Sequence, residues 1–254
     1  KLSPDIVLHH LDKLHYKELI FRWKGHYVGY QLTHHGYDVL AFRVLAERDS
    51  VVAIGKEIGK GKESDVYLGF NEEKEKKVVK IHRVGRPSFQ RSKKLRTYVG
   101  KRGHINWLYK SRLSAEQEAK GLEIANSINL KAPILIDNNR HMIVMDFYEG
   151  NELANLTDLP RPEYFLKRIL EEIKKLTLQG NIIHGDLSEY NILIIPTADI
   201  LIIDFPQFIT MDHPNARELL TRDVYNVCRF FKRKYQLIVD IEETVQTLFA
   251  EYEK

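Results

Sequence analysis

Residues 184–191 read HGDLSEYN, and four apolar residues follow at once, Ile192-Leu193-Ile194-Ile195. The stretch before it, Asn181-Ile182-Ile183, is also largely apolar. A polar loop therefore lies between two short, buried, strand-like runs. Polar groups in such a place are costly unless they have partners or serve a site. A second acidic residue, Asp204, closes another apolar run in LIIDFP at 201–206. The repetition predicts two strand ends that present oxygen atoms to one ligand: Asp186 and Asn191 from the first, Asp204 from the second.

The chain of 254 residues has room for one large domain or two modest ones. Hydrophobic residues are 43% and charged residues 29%, the composition of a soluble globular protein. One cysteine, Cys228 in VYNVCRFF, leaves no internal disulfide framework and fits a reducing compartment. Its apolar-periodic surroundings make it a packed thiol rather than a nucleophile. No apolar run approaches the roughly 18–20 residues needed to cross a bilayer, and no signal-peptide pattern is present, so no membrane partner and a cytoplasmic setting are expected.

The net charge of +4 conceals an uneven distribution. From His82 to Arg112 there are ten Lys/Arg and no Asp/Glu, whereas outside that window 29 basic residues face 35 acidic ones, a balance of −6. The window interleaves Arg83, Arg86, Arg91, Lys93, Lys94, Arg96, Lys101 and Arg102 with Phe89, Tyr98 and Trp107. Dense positive charge with aromatics suits a polyanion such as RNA.

Periodicity predicts a helix over 5–20, a hairpin at Gly25–Thr33 and a second helix over 35–48. This arrangement resembles a winged helix shortened at its N-terminus, consistent with a chain that opens on Lys1 rather than Met. Such modules bind DNA, RNA or protein, but seven basic against six acidic residues here give no electrostatic support for nucleic acid. A boundary near Ser50 follows. Strands are expected at 66–70 and 77–82, and a helix from Ser114 to about Ser127 with the capping box Ser114-x-x-Gln117. Further strands are expected at 132–136 and 142–145, with a turn at 137–139. Helices are expected from Pro162 to Gly180, over 216–235 and over 240–252.

The segment IGKGKESDVY places Gly59, Gly61, Lys62, Glu63, Ser64 and Val66 in one stretch. Glycines there let backbone N–H groups approach phosphates, and the following strand holds the loop. Fourteen residues beyond Val66, Lys80 stands inside the apolar run Val78-Val79-Lys80-Ile81. A lysine within a strand calls for an anionic partner. The helix from Ser114 supplies one: Glu118 lies on the side of Ala115, Ala119, Leu122 and Ala125, and Glu116 on the other.

The order of these features resembles that of protein kinases: Gly-rich loop, strand lysine, helix glutamate, HxD(x4)N loop, then Asp at a strand end. In that chemistry Lys80 holds the α- and β-phosphates, Asn191 and Asp204 supply hard oxygens to Mg²⁺ (with Mn²⁺ as the alternative), and Asp186 orients or deprotonates the nucleophile. Two departures stand out. Gly185 occupies a place where protein kinases carry Arg, and Asp204-Phe205-Pro206 lacks the usual third-position Gly. With 50 residues after Asp204 and no Ala-Pro-Glu triplet among them, the peptide-binding lobe of ordinary protein kinases has no room. Small-molecule phosphotransferases of the aminoglycoside and choline type share the HGD form, but they need a large helical lobe that 50 residues cannot build.

At finer grain the chain is identified as a member of the RIO family of atypical serine/threonine kinases, in its Rio-two branch. The resemblance is carried by GKGKESDVY (59–67), VVKIHRVGRPSF (78–89), NWLYKSRLSAEQEA (106–119), HGDLSEYNIL (184–193), IDFPQ (203–207) and HPNARELLTRDV (213–224). It implies an α+β fold, with a winged-helix domain over 1–50 and a trimmed bilobal kinase-like domain over 51–254. The N-lobe would be 51–148, with a flexible basic loop at 82–112, and the C-lobe 149–254. It implies an ATP-dependent factor that autophosphorylates and acts on the precursor of the small ribosomal subunit and its rRNA. It also admits a second role, an ATPase switch that forms an aspartyl-phosphate at Asp204 with little kinase activity in trans. The hinge carries over as well: Met145 guards the adenine pocket, the backbone of Asp146 and Tyr148 meets the adenine edge, and Glu152 contacts ribose.

Overall fold

The structure is a computed structural model that describes residues 3–85 and 102–253. It divides into two compact units, one of residues 1–113 with 137–144 and the other of 114–136 with 145–254.

The first unit opens with helix α1 (Pro4–Tyr16), strands β1 (Ile20–Lys24) and β2 (Val28–Leu32), and helix α2 (His34–Glu47). The helix expected over 5–20 stops at Tyr16, because Glu18 takes a left-handed φ of 57° and the alternating IFRWK that follows pairs with β2 from Ile20↔Leu32 to Lys24↔Val28. Thr33 caps α2, its Oγ1 accepting from Gly36 N at 3.1 Å. Strands β3 (Ala53–Lys60), β4 (Ser64–Phe70) and β5 (Lys76–His82) follow. A five-stranded sheet is completed by β6 (Leu135–Asn139) and β7 (Met142–Asp146), in the order β3-β4-β5-β7-β6. β3 has no clean hydrophobic period, and its pairing with β4 is broken by two register shifts, which hides it from sequence reading. β6 begins three residues later than expected and absorbs the Asp137-Asn138-Asn139 turn. As an edge strand it tolerates polar residues, and the reversal falls at Arg140, φ 53°.

One core joins α2 to the sheet: Ala41 and Leu45 pack with Val51, Val79, Ile81, Met142 and Val144. Polar ties reinforce this face. Asp137 accepts from Arg48 Nη1 at 3.0 Å and from Ser50 Oγ at 2.6 Å. His141, fully buried, donates from Nε2 to Asp38 Oδ1 at 2.7 Å while its ring stacks on Tyr37.

Helix α3 (Arg102–Ser127) begins twelve residues before Ser114, so the capping box lies inside a helix. The reason is tertiary: Ser111 is fully buried and its Oγ accepts from Val84 N at 3.1 Å, so the helix is anchored upstream of the local start signal. Of the basic window, Arg83 is buried among carboxylates and thus unavailable to a polyanion, and residues 86–101 lie outside the described residues.

The second unit carries β8 (Asn151–Glu152), α4 (Pro162–Leu178), β9 (Ile182–Ile183), β10 (Ile192–Ile195), β11 (Asp199–Ile202), β12 (Ile209–Thr210), α5 (Ala216–Tyr235) and α6 (Ile241–Tyr252). Small sheets β11-β10-β8 and β12-β9 lie at the two ends of the 184–191 loop. α4 buries Phe165, Leu166, Ile169, Ile173 and Leu176, and α5 buries Leu220, Val224, Val227, Phe230 and Phe231, the spacing of one apolar helical face. Cys228 sits on that α5 face, and burial pushes its thiol up to about 11, so it is a packing residue. No helix among the described residues is long and apolar enough to cross a membrane.

Burial pushes the His141 imidazole down from its ordinary value, over the opposing pull of Asp38. Its Nδ1 has no hydrogen-bond partner among the described residues, so a proton there would be unsatisfied. Below about pH 6.5 the unfolded chain binds a proton at this position that the folded chain refuses, so stability falls as pH falls. Denaturant titrations between about pH 7.5 and 5.5 should show a steeper loss for the wild type than for His141→Gln. Parallel curves would mean that His141 titrates freely in the fold.

Candidate active site

In the first unit the glycine-bearing segment forms the tip of the β3–β4 hairpin. Gly59 stands opposite Val66, and Lys60 opposite Asp65. Gly61 N donates to Ser64 O at 2.8 Å, which closes the turn and leaves Lys62 and Glu63 exposed at its apex. Lys80 pairs across the sheet with Val66 and is 7% exposed, so the expected loop and the expected lysine are neighbours.

In the second unit the HGDLSEYN loop runs from β9 to β10, with Asp186 exposed between buried Gly185 and Leu187. Helix α5 holds its main chain. Asp223, 1% exposed, accepts from Gly185 N at 2.7 Å and from Leu187 N at 2.9 Å. Arg222 donates to Gly185 O, and Asn226 Nδ2 donates to Leu187 O at 3.1 Å. Burial pushes the Asp223 carboxyl up despite those amides and the neighbouring His184 and Arg222. His184 is buried against Phe205, with its Nε2 3.0 Å from Ile203 O.

Asn191 Nδ2 donates to Asp186 O at 2.7 Å. Ile203 N donates to Asn191 O at 3.0 Å, so Asn191 and Asp204 sit at adjoining strand ends, as their sequence positions suggest. Asp204 takes a left-handed φ of 72°, a strained conformation typical of functional sites. Phe205, fully buried, lies against Gly121 of α3: a Cβ there would come within 2.7 Å of Phe205 Cβ. Gln117 Nε2 donates to Phe208 O at 3.0 Å. Glu118, between those two α3 positions, is 1% exposed, while Glu116 is only half-buried.

The expected hinge residues also fall in this unit. Met145 is 7% exposed at the end of β7. Asp146 N donates to Ile134 O at 3.0 Å, so a base edge would meet its carbonyl. Burial, then the Asp146 charge, pushes the Tyr148 hydroxyl up. Glu152 of β8 pairs with Leu193 of β10 and accepts from Asn155 at 3.0 Å.

A RIO domain family model matches residues 65–244, and a Rio2 N-terminal family model matches residues 1–48. The chain belongs to the Rio2 branch of the RIO family. It is 42% identical over 207 residues to the serine/threonine-protein kinase RIO2 of Caenorhabditis elegans, covering 82% of this chain and 39% of that one. It is 38% identical over 262 residues to the RIO-type serine/threonine-protein kinase Rio2 of Methanocaldococcus jannaschii, covering 99% and 93%. The Rio2 kinase-ADP/Mg²⁺-phosphoaspartate complex from Chaetomium thermophilum superposes with a TM-score of 0.84 at 34% identity, over 97% of this chain and 79% of that one. The chain thus spans about two fifths of the length of the C. elegans relative. The expected fold class, an N-terminal Rio2 element followed by a kinase-like RIO domain, holds.

Two features of this RIO chain do not emerge from its sequence motifs. Gly185 has φ +79°, and a Cβ on it would stand 2.4 Å from Gln207 O, so an arginine cannot occupy the place it has in ordinary protein kinases. Asp223 lies within HPNARELLTRDV, where the motif by itself gives it no role. A signal is nonetheless present: an acid on the same helical face as Leu220, Val224 and Val227 must have buried partners.

Gly185→Ala should destabilise the fold by on the order of 1–3 kcal/mol. Asp223→Ala strands two buried amides and should cost about 2–5 kcal/mol. Denaturant midpoints read both, and a wild-type midpoint for Asp223→Ala would refute its clamping role.

Proposed function

We propose that the chain is an atypical serine/threonine protein kinase and ATPase that uses ATP with Mg²⁺. One observation carries the reading: Asp186 is exposed on a loop whose flanking amides are clamped by buried Asp223, with Asn191 and Asp204 at adjoining strand ends.

Phosphoryl transfer demands positioning and charge neutralisation more than covalent chemistry. The Gly59–Ser64 tip offers main-chain N–H groups to phosphates, and Lys80 offers a buried cation. Asp186 accepts the proton of the attacking hydroxyl. The Asn191 amide oxygen and the Asp204 carboxylate are hard donors that suit Mg²⁺ or Mn²⁺, and such an ion supplies neutralisation of the phosphate charge. Because Asn191 also bonds Asp186 O, the residues that would hold the ion and place the base are mechanically one unit.

The likeness to a Rio2 kinase solved with ADP, Mg²⁺ and phosphoaspartate favours a second mode of the same site. In that mode an Asp204 oxygen attacks the γ-phosphorus, ADP leaves, and water then cleaves the acyl phosphate to return the carboxylate and release phosphate. We further propose that this cycle serves maturation of the small ribosomal subunit in the cytoplasm, with its rRNA as a partner. The supporting feature is the positive window within 82–112 of a chain otherwise net acidic.

Asp186→Asn should keep ATP affinity while transfer falls by roughly 10²–10⁴-fold. Asp204→Ala should lose metal-dependent nucleotide binding. Free phosphate and phosphoprotein, measured with and without small-subunit particles, separate the two modes, and normal turnover by Asp186→Asn would refute its role. Replacing Arg91, Lys93, Lys94 and Arg96 with Ser should weaken RNA binding and flatten its log K against log salt slope by about 0.7–0.9 for each phosphate no longer neutralised. An unchanged slope would dismiss the window as an RNA-binding element.

A further inference from the structure

We propose that Asp38, on helix α2 of the N-terminal element, is a positioning residue for the phosphate loop, acting through Arg83. The inference rests on reading residues 59–66 as the loop that meets nucleotide phosphates. It adds a residue outside the segment matched by the RIO domain.

Arg83 follows the last residue of β5 and is 9% exposed. Its Nη1 and Nη2 donate to the two Asp38 oxygens at 2.7 Å each, a bidentate pair. Its Nε donates to Asp65 Oδ2 at 3.3 Å. Its main-chain N–H donates to Glu63 O at 2.6 Å, at the apex of the Gly-rich hairpin. One residue therefore grips the loop twice, by backbone at Glu63 and by side chain at Asp65, and its guanidinium is held in turn by α2.

Asp38 is itself held. His141 Nε2 donates to Oδ1 at 2.7 Å, and Tyr37 stacks on the imidazole with ring centroids 4.5 Å apart. Burial would push the Asp38 carboxyl up, but the bonds from His141 and Arg83 and the Arg83 charge outweigh it and hold it below the usual carboxylate range. The His141 carbonyl accepts from His82 N at 2.8 Å, so the same cluster fixes β5 two residues past Lys80.

A buried ion pair is weak evidence of stabilisation by itself, since apolar replacements are often neutral. Here the geometry assigns it a position-setting role. With the Asp38 carboxylate removed, the Arg83 charge is left with the longer bond to Asp65 and is drawn toward water. Its amide then leaves Glu63, and the loop apex shifts. The phosphates are then held less well, while the adenine end, served by other residues, is not affected.

Affinities of the full chain for ATP and for adenosine, by calorimetry, test this. Asp38→Asn should weaken ATP about tenfold and leave adenosine within about twofold, with KM for ATP rising more than kcat falls. Asp38→Glu should recover part of the ATP affinity. Arg83→Lys, which keeps the charge but loses the fork, should reproduce the ATP-selective loss and decides the matter if Asp38→Asn does not fold. An unchanged ratio of ATP to adenosine affinity in these variants, or an equal loss of both ligands, would overturn the inference alone. Failure of the wild-type chain to bind ATP would overturn the nucleotide reading, and this inference with it.

Discussion

A carboxylate buried on a helix organises the chemistry of the second unit. Asp223 bonds the amides on both sides of Asp186, and its neighbours Arg222 and Asn226 take the Gly185 and Leu187 carbonyls. Four bonds from one helical turn and its continuation therefore define the path of a loop that has no regular structure of its own. The cost of burying Asp223 is visible in its raised carboxyl pKa, and the two amides offset only part of it. Rigid support of this kind lets an exposed side chain sit in a defined place without packing around it.

Glycine and strain complete the arrangement. The tight approach of Gly185 to Gln207 brings the 184–186 turn against the segment that follows Asp204. The left-handed Asp204 and the buried Phe205 then set the direction in which that carboxylate leaves its strand. Phe205 is accommodated because Gly121 of α3 has no side chain to oppose it. The departure from ordinary protein kinases at 185 is thus an answer to close packing. It removes a side chain where backbone must approach backbone.

In the first unit the N-terminal element is continuous with the sheet. Ala41 and Leu45 belong to the same apolar cluster as Val79 and Ile81, and the Asp38–Arg83–Asp65 ion pairs lie alongside. An element of this kind shares the sheet's fate on unfolding, because removing it would expose both apolar and charged surface. The strand that bears Lys80 is therefore supported on one side by a helix that comes well before it in the chain.

Much of this was legible in the sequence where one residue type in one local pattern has a single economical reading. The apolar faces of α4 and α5, the burial of Lys80 and Glu118, and the pairing of the Asn191 and Asp204 strand ends all follow from periodicity and the cost of burying charge. The family motifs were likewise local strings. The sequence could not reveal β3, whose irregular pairing has no period, or the start of α3, where the hydrogen bond made by Ser111 overrides the capping signal at Ser114. Nor could it separate Arg83 from the other positive charges around it. Nothing near position 83 announces that Asp38 and Asp65 will close on it. A local pattern states what a residue can tolerate, but its partner is chosen by chain segments that only folding brings within hydrogen-bond range.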